Sequence, residues 1–278
     1  MADQFFSQIL SKTIRTYGQA TFELPIYYLR DDFFGLFFTA NADKISAILP
    51  SPNLHPIILP NGKAMIAIAA YNYMETSIGS YGEVVAGIPC VYGKKPFPYT
   101  GVIAALLESK YPGFGILVHH LPVTKIEARD AGRGEWGYTK FIADMAFHIT
   151  PEYLECCMHE ETNHILTLRV QRKGIYVEDT KPITTYSVKN HQLIKTIIPQ
   201  KGTKRFCLKP NDSFITWGNH PMAESIKQLD ISEYPFMSIY YPERAAILPS
   251  GEIIETNVQK FDGYMGKDRI ATHTFSYM

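Results

Sequence analysis

One lysine stands between a glycine-punctuated aromatic turn and an apolar stretch, in the segment GRGEWGYTKF at residues 132–141. A lysine in this position has two interpretations. Lys140 either packs its stem on apolar surface while its ammonium reaches water, or it is a desolvated amine that forms an imine with a carbonyl substrate. The second interpretation predicts covalent catalysis on a small keto compound, and the pattern alone leaves both open.

Imine chemistry requires a neutral amine, which apolar surroundings can supply. A free lysine has a pKa of about 10.4, so only about one molecule in 2,500 is neutral at pH 7. Burial in apolar surroundings lowers lysine pKa values by about 3 to 5. The neighbours of Lys140 in the sequence are mostly aromatic or aliphatic: Trp136, Tyr138, Phe141 and Ile142. We therefore expect desolvation to be sufficient to activate a lysine here.

The same segment also satisfies G-x-G-x-x-G, the dinucleotide-binding pattern. That pattern works only where an apolar strand precedes the glycines and a helix follows, so that helical amides meet the pyrophosphate. Here the charged stretch VTKIEARDA precedes the glycines, and a strand-like stretch follows them. We therefore predict no bound cofactor.

The segment HEETNH at 159–164 suggests a zinc site, but its histidines have the wrong spacing for one helical turn. In a strand, the odd spacing of His159 and His164 sends them to opposite faces. The adjacent pair His119–His120 is likewise expected to point apart. The sequence therefore predicts no metal site, and none of the four cysteines has basic neighbours that would activate its thiol.

Charge and composition limit the partners. Lys+Arg and Asp+Glu number 27 each, so no net field attracts nucleic acid or an anionic membrane. No apolar run is long enough to span a bilayer, and the first 18 residues do not resemble a signal peptide. Cysteines without C-x-x-C spacing are typical of a reduced, cytoplasmic protein.

Strands dominate the predicted elements, and no linker divides the chain, so we expect one domain over residues 1–278. Aromatic or apolar runs predict strands in YYLRDDFFGLFFTA, KAMIAIAAYNYM and NHILTLRVQRKG. Three short helices are predicted: an N-terminal one through Phe6, Leu10 and Ile14, one capped by Asn41, and one over residues 221–229. From Phe141 to Ile149, apolar side chains alternate with others, which favours a strand with Lys140, Asp144 and His148 on one face.

Several segments resemble the acetoacetate decarboxylase family, in the order that the family has them. GRGEWGYTK is similar to its catalytic segment and places Lys140 on the Schiff-base lysine. GSYGEVVAGIPCVY at 79–92 places Glu83 on the active-site glutamate. YYLRDDFFGLFF places Arg30 on the active-site arginine if one residue is inserted after it. NHPMAESIKQL and YYPERAAIL are similar to later segments, so the resemblance spans roughly residues 18–248 as separate islands.

Two departures from the family pattern affect the lysine segment. Thr139 stands where the family has proline, which could alter the turn that aims the lysine. Phe141 stands where the decarboxylase has a second lysine, so the neighbouring cation that activates the family's amine is missing. Because Phe141 replaces that lysine, a Schiff-base reaction other than decarboxylation remains an alternative.

The resemblance implies an α+β, β-dominated fold: a closed, cone-shaped, mixed or antiparallel β barrel with flanking short helices and the lysine inside. It implies a homo-oligomer that decarboxylates a small β-keto acid through a Schiff base on Lys140. Arg30 would orient the substrate carboxylate, and Glu83 would hold the arginine, disfavour the departing carboxylate or relay a proton. Arg30 and Glu83 could instead form an ordinary ion pair. The alternatives are a Schiff-base aldolase or dehydratase acting on pyruvate-like acids, or a non-catalytic small-ligand binding protein.

Overall fold

The structure, a computed structural model, describes residues 5–7, 12–97, 112–260 and 263–278. The strands in these ranges are β1 Thr13–Tyr17, β2 Ala20–Leu24, β3 Ile26–Ala40, β4 Leu54–Pro56, β5 Ala64–Thr76, β6 Tyr81–Tyr92, β7 Phe114–His120, β8 Asp144–Ile149, β9 Tyr153–Glu160, β10 Asn163–Gln171, β11 Ile175–Asp179, β12 Ile183–Lys189, β13 Gln192–Ile198, β14 Gln200–Leu208, β15 Phe214–Trp217, β16 Met237–Leu248, β17 Glu252–Thr256 and β18 His273–Tyr277. The helices are α1 Ala42–Ala47, α2 Ile126–Ala131 and α3 Pro221–Lys227, with a π-helical segment at Gly132–Trp136. The fold is therefore α+β and β-dominated, with few short helices, as predicted.

The larger sheet contains eleven strands of the described chain. Its order is β11-β14-β16-β3-β5-β6-β7-β12-β13-β17, and β4 pairs with β6 beside this path. Every pairing is antiparallel except that of β7 with β12. Long apolar runs explain the central strands, because β3, β5 and β6 are buried along most of their length. The mixed, mostly antiparallel sheet is as expected.

This sheet curls towards itself without closing. Strands β13 and β14 lie seven places apart in the sheet, yet Pro199 alone joins them along the chain. The Pro199 carbonyl accepts a hydrogen bond from the N–H of Ile247 on β16. Within the described residues, however, β11 and β17 each pair on one side only. The closed barrel implied by the resemblance is thus not seen in the described part of the chain, where no ladder of hydrogen bonds joins the two edges.

The main core lies between the larger sheet and a second sheet of order β15-β10-β9-β8-β18. Alternate residues of β3 and β8 meet there, and the rings of Phe34 and Phe147 are in edge contact at 6.2 Å. The opposite face of β8 carries Asp144 and His148, both half-buried. The predicted strand therefore begins at Asp144. Lys140 precedes it and does not share the face of Asp144 and His148.

Two of the three predicted helices are present, and Phe6 of the third is helical within the described residues. Asn41 caps α1 by accepting hydrogen bonds from the N–H groups of Asp43 and Lys44. Helix α3 begins at Pro221 and is capped by His220. The predicted N-terminal helix is wrong at its end, since Ile14 lies in strand β1 and is 68% exposed. Leu10 lies outside the described residues.

None of the described helices combines the length and the apolar character that crossing a bilayer requires.

Candidate active site

A cavity of about 70 Å³ lies against the larger sheet. Seven consecutive strands of the sheet line it, from β16 through β3, β5, β6, β7 and β12 to β13. One water needs roughly 10–15 Å³ of such space, so the cavity has room for a molecule of a few heavy atoms. Its lining is Tyr28, Tyr71, Tyr73, Glu83, Val85, Val118, Leu121, Tyr138, Lys140, Ile183, Thr185, Ile198, Arg244, Ala246 and Leu248. Lys140 and Glu83 therefore line the same cavity.

Lys140 reaches the cavity from the segment that follows the π-helical turn, and its side chain is 6% exposed. Its carbonyl accepts a hydrogen bond from Arg133 Nε at 2.6 Å. The hydroxyl of Thr139 donates to the carbonyl of His119 at 2.7 Å and ties the segment to β7. Thr139, which replaces the family's proline, thus fixes this turn by a hydrogen bond.

Glu83 on β6 is the direct partner of the lysine. Lys140 Nζ lies 2.5 Å from Glu83 Oε2, and the other carboxylate oxygen accepts a hydrogen bond from the hydroxyl of Tyr73 at 3.2 Å. Backbone pairing explains the meeting, since Val123 bridges both Glu83 and Ile142. The sequence predicted an amine in mostly apolar surroundings, and the structure places a carboxylate beside it.

Tyrosines form the wall around the pair. The ring centroids of Tyr28 and Tyr81 lie 4.5 and 4.7 Å from that of Tyr73, and the Nζ of Lys140 lies 5.7 Å from the centroid of Tyr81. Burial raises the pKa of Tyr73 and of Tyr81 well above the ordinary value. These phenols therefore stay protonated near neutral pH. Tyr73, which lines the cavity, donates its hydrogen bond to Glu83, and the hydroxyl of Tyr81 is bonded to that of Tyr28.

The arginine expected beside the lysine is elsewhere. Arg30 is exposed and does not line the cavity. The register between β3 and β5 shifts on both sides of Arg30, where its backbone partner is Glu75. Such irregularities turn side chains away from the face that strict alternation would give them. The structure therefore does not bring Arg30 to the site.

Arg244 on β16 supplies a cation instead. Its side chain is 4% exposed and lines the same cavity as Lys140. Its Nη1 donates to Asp31 Oδ2 at 2.9 Å, and its Nε donates to Gln200 Oε1 at 3.1 Å. Burial works against the guanidinium charge, but Asp31 together with Tyr71, Tyr73 and Tyr241 outweighs burial and raises the pKa of Arg244. The cavity therefore contains a permanent positive charge besides the lysine.

Sequence reasoning missed Arg244, although a signal for it exists. Asp31 and Asp32 interrupt an aromatic strand, and Arg244 interrupts the apolar stretch YYPERAAIL. Charged residues are rarely buried without a partner, so buried acids in one strand predict a buried cation in a neighbouring one. Register decides the pairing, because Arg244 lies opposite Asp31 between β16 and β3.

Phe141 points away from the amine. It is fully buried in the main core, where its ring stacks on His220 at 6.0 Å and meets Tyr264 edge-on at 5.0 Å. It does not line the cavity. The position that carries the second lysine in the decarboxylase is thus part of the hydrophobic core of this chain.

The glycines of GRGEWG allow close packing around the Lys140 side chain. A helix, α2, precedes them where a dinucleotide site would need a strand. A Cβ on Gly132 would lie 2.4 Å from Cε of Lys140, so glycine leaves the space through which the lysine reaches Glu83. Gly137, at φ +70°, ends the turn in the left-handed region that favours glycine.

We expect Gly132→Ala to slow imine formation more than it lowers stability. Gly132 has φ −64° and ψ −44°, which alanine adopts without strain, so the change acts on the Lys140 side chain. A displacement of about 1 Å at a reacting group can cost on the order of 100-fold in rate. The rate of borohydride trapping should fall by about this factor while the thermal midpoint moves little. An unchanged trapping rate would show that the lysine reaches its substrate by another path.

His119 and His120 also differ from expectation. Their ring centroids are 4.2 Å apart and both residues are buried. The pairing of β6 with β7 skips His119, which forms a bulge between Val118 and His120. The prediction that the two rings point apart assumed strict alternation along a strand, and strict alternation fails at a bulge.

The structure thus combines a curled mixed sheet with a small cavity, in which a buried lysine is paired with a carboxylate and an arginine lines the same wall. These features define a class of protein that presents one amine to a small molecule. The family model of acetoacetate decarboxylase (ADC) matches residues 13–210, most of the chain. This chain belongs to that family. Lys140 and Glu83 lie within the matched region, and Arg244 lies beyond it.

Solved structures share the fold. The crystal structure of an acetoacetate decarboxylase from Legionella pneumophila is 17% identical, covers 91% of this chain and 95% of its own, and superposes with a TM-score of 0.62. An acetoacetate decarboxylase-like enzyme from Sphingomonas wittichii is 12% identical over 84% of this chain and 93% of its own, at 0.57. The enduracididine biosynthesis enzyme MppR, complexed with pyruvate, is 9% identical over 84% and 91%, at 0.59. A search of the curated proteins finds no match. At these identities the likeness establishes the fold alone.

Proposed function

We propose that this protein is a Schiff-base enzyme that decarboxylates a small β-keto acid, with Lys140 as the nucleophile. The observation that supports this most directly is the buried Lys140 Nζ, 2.5 Å from Glu83 Oε2, in a cavity that also contains Arg244. An amine, a group to accept its proton and a cation for a carboxylate are the parts that such a reaction needs.

The first step forms the imine. Glu83 accepts a proton from the Lys140 ammonium, and the neutral amine attacks the ketone carbon of the substrate. Glu83 then returns the proton to the hydroxyl of the carbinolamine, water leaves, and the product is a cationic iminium. The phenol of Tyr73 lines the cavity and donates a hydrogen bond to Glu83, so it helps to hold the carboxylate that accepts the proton.

The second step breaks the C–C bond. The electrons of the bond between the α-carbon and the carboxylate move into the iminium, CO2 leaves, and an enamine remains on Lys140. Protonation of the enamine carbon and hydrolysis of the imine release the ketone and restore the amine. Arg244 orients the carboxylate before this step by a charge-assisted contact. Glu83, once ionised again, disfavours a carboxylate close to it.

A second candidate is imine chemistry without loss of CO2, such as an aldol condensation or a dehydration on a pyruvate-like acid. Phe141 favours it, because its burial in the core leaves the amine without the neighbouring lysine of the decarboxylase. The fold of MppR in complex with pyruvate supports the same candidate. Measuring CO2 release from acetoacetate, and new products from pyruvate with an aldehyde, separates the two. If neither keto acid gives a borohydride-reduced adduct, the binding-protein alternative takes their place.

We expect Glu83→Gln to lower turnover much more than stability. The amide keeps the size of the side chain and can accept a hydrogen bond from Tyr73, but it cannot take a proton from the amine. A general base contributes about 10²- to 10⁴-fold, so turnover should fall within that range. Glu75→Gln, a change at an exposed carboxylate on β5, is the matched control. Turnover equal to that of the control would remove Glu83 from the mechanism.

The domain organisation, cellular location and assembly of the enzyme belong to the same proposal. We propose a single domain over residues 1–278, because no linker divides the sequence, a cytoplasmic location, because of the cysteine usage, and a homo-oligomer, which the family resemblance implies. Light scattering on the purified chain tests the assembly, and a monomer at micromolar concentration would contradict it.

A further inference from the structure

A second cluster of chemically reactive side chains lies outside the cavity, on the outward face of the five-stranded sheet. Cys157, His159 and His164 each place one potential metal-ligand atom within 4.8 Å of the other two. All three residues are half-buried, and none lines the cavity with Lys140. The sequence led us to expect that the two histidines point apart, and this expectation is wrong.

The hairpin of β9 and β10 explains the error. His159 and His164 lie on different strands and are directly paired across the hairpin, so their odd separation along the chain no longer matters. Cys157 precedes His159 by two residues and shares its face. The register then shifts between His164 and Leu166, which places Thr167 opposite Cys157. Strand pairing therefore assembles the three ligand atoms.

We propose that Cys157, His159 and His164 bind a zinc-class divalent cation through one thiolate and two imidazoles. Sulfur and imidazole nitrogen are the ligands that Zn²⁺ prefers, and three protein ligands leave a fourth tetrahedral position for water. The half-buried face gives an ion access from solvent. The site ties the two strands of the hairpin together, and it is independent of the function proposed for Lys140.

The three ligand atoms must move slightly closer together to fit the distances of a tetrahedral zinc site. Zn–S and Zn–N bonds of about 2.3 and 2.0 Å place tetrahedral ligand atoms roughly 3.3 to 3.6 Å apart. The sulfur of Cys157 lies 3.9 Å from Nδ1 of His159, and the ring centroids of His159 and His164 are 5.1 Å apart. Changes in side-chain torsion can close the remaining gap without moving the strands.

Thr167 already links two of the ligands. Its hydroxyl donates to the sulfur of Cys157 at 3.3 Å and contacts Nε2 of His164 at 2.9 Å. A polar neighbour of this kind orients metal ligands in known sites. Asp144 lies opposite His159 on β8 but is engaged by Arg269 and Thr272. We therefore assign the ligand set to the cysteine and the two histidines.

Cobalt binding to the full-length, chelator-treated and reduced protein tests the proposal. Co²⁺ should give a thiolate-to-metal charge-transfer band with one ion per chain, and Zn²⁺ should displace it. In calorimetry, Cys157→Ser and His164→Gln should each weaken Zn²⁺ binding by at least about 100-fold, which is about 2.7 kcal/mol. Zn²⁺ should also raise the thermal midpoint of the unchanged chain, but not of these variants.

Matched controls make the result decisive. Cys207→Ser removes a half-buried thiol elsewhere, and His148→Gln removes an imidazole from the same face of the sheet. Both should bind Co²⁺ as the unchanged chain does, and Lys140→Met should also. Comparable circular dichroism without metal checks that Cys157→Ser and His164→Gln are folded. Absence of the charge-transfer band in the unchanged chain, or its persistence in Cys157→Ser, would overturn the proposal.

Discussion

Lys140→Met is expected to abolish covalent trapping of acetoacetate by borohydride. In the unchanged chain, intact mass should show one reduced adduct, and peptide mapping should place it on Lys140. Methionine keeps the length of the buried stem but has no nucleophile, so no imine can form. Turnover should fall by at least about 10³-fold, as expected when a covalent step is lost.

The variant also removes one partner of a buried ion pair, so loss of folding must be separated from loss of chemistry. An uncompensated Glu83 would cost about 3–5 kcal/mol of stability. The double variant Lys140→Met/Glu83→Gln removes both charges and should regain most of that stability without regaining activity. Lys44→Met, which changes an exposed lysine, should be trapped normally. A reduced adduct that persists in the double variant would disprove the assignment of Lys140.

Arg244→Gln is expected to have the second largest effect, through recognition of the substrate carboxylate. A lost charge-assisted hydrogen bond costs about 1.5–3 kcal/mol, so kcat/KM for a keto acid should fall by about 100-fold. Acetone has a ketone but no carboxylate. Trapping of acetone should therefore remain close to that of the unchanged chain, and this contrast is the measurement that defines the role.

Arg244 is also the ion-pair partner of the buried Asp31. A loss of stability in Arg244→Gln must therefore be separated from a loss of substrate recognition. The double variant Arg244→Gln/Asp31→Asn replaces the buried ion pair by neutral groups and should recover stability. We expect the loss of kcat/KM for the keto acid to remain in this variant. Recovery of kcat/KM together with stability would mean that Arg244 only holds β16 against β3.

Much of the secondary structure could be predicted because it depends on local chemistry. The apolar and aromatic runs formed β3, β5 and β10, and Asn41 and Pro221 began their helices as their types require. The N-terminal helix failed at Ile14, where pairing with Glu23 on β2 outweighed helical spacing. Tertiary pairing overrides weak local preference in this way.

The candidate site was predicted only in part. Lys140 and Glu83 were found from a family resemblance, and the structure brings them to 2.5 Å. Arg30 was expected beside them, but bulges in β3 turn it outward, and Arg244, 213 residues after Asp31, takes its place in the cavity. The carboxylate contact of the lysine and the core position of Phe141 also required coordinates.

The sequence by itself determined which segments become strands, which residue carries the candidate amine and which family the chain resembles. These properties follow from side-chain types and from spacing along the chain. The tertiary structure decided which charged groups meet. It paired Arg244 with Asp31 and brought His159 to His164 with Cys157 beside them. Among the strands that the structure describes, it gave the edge strands β11 and β17 one partner each. The physical reason is that strand register and bulges set the faces of side chains, and both depend on contacts between residues far apart in the sequence.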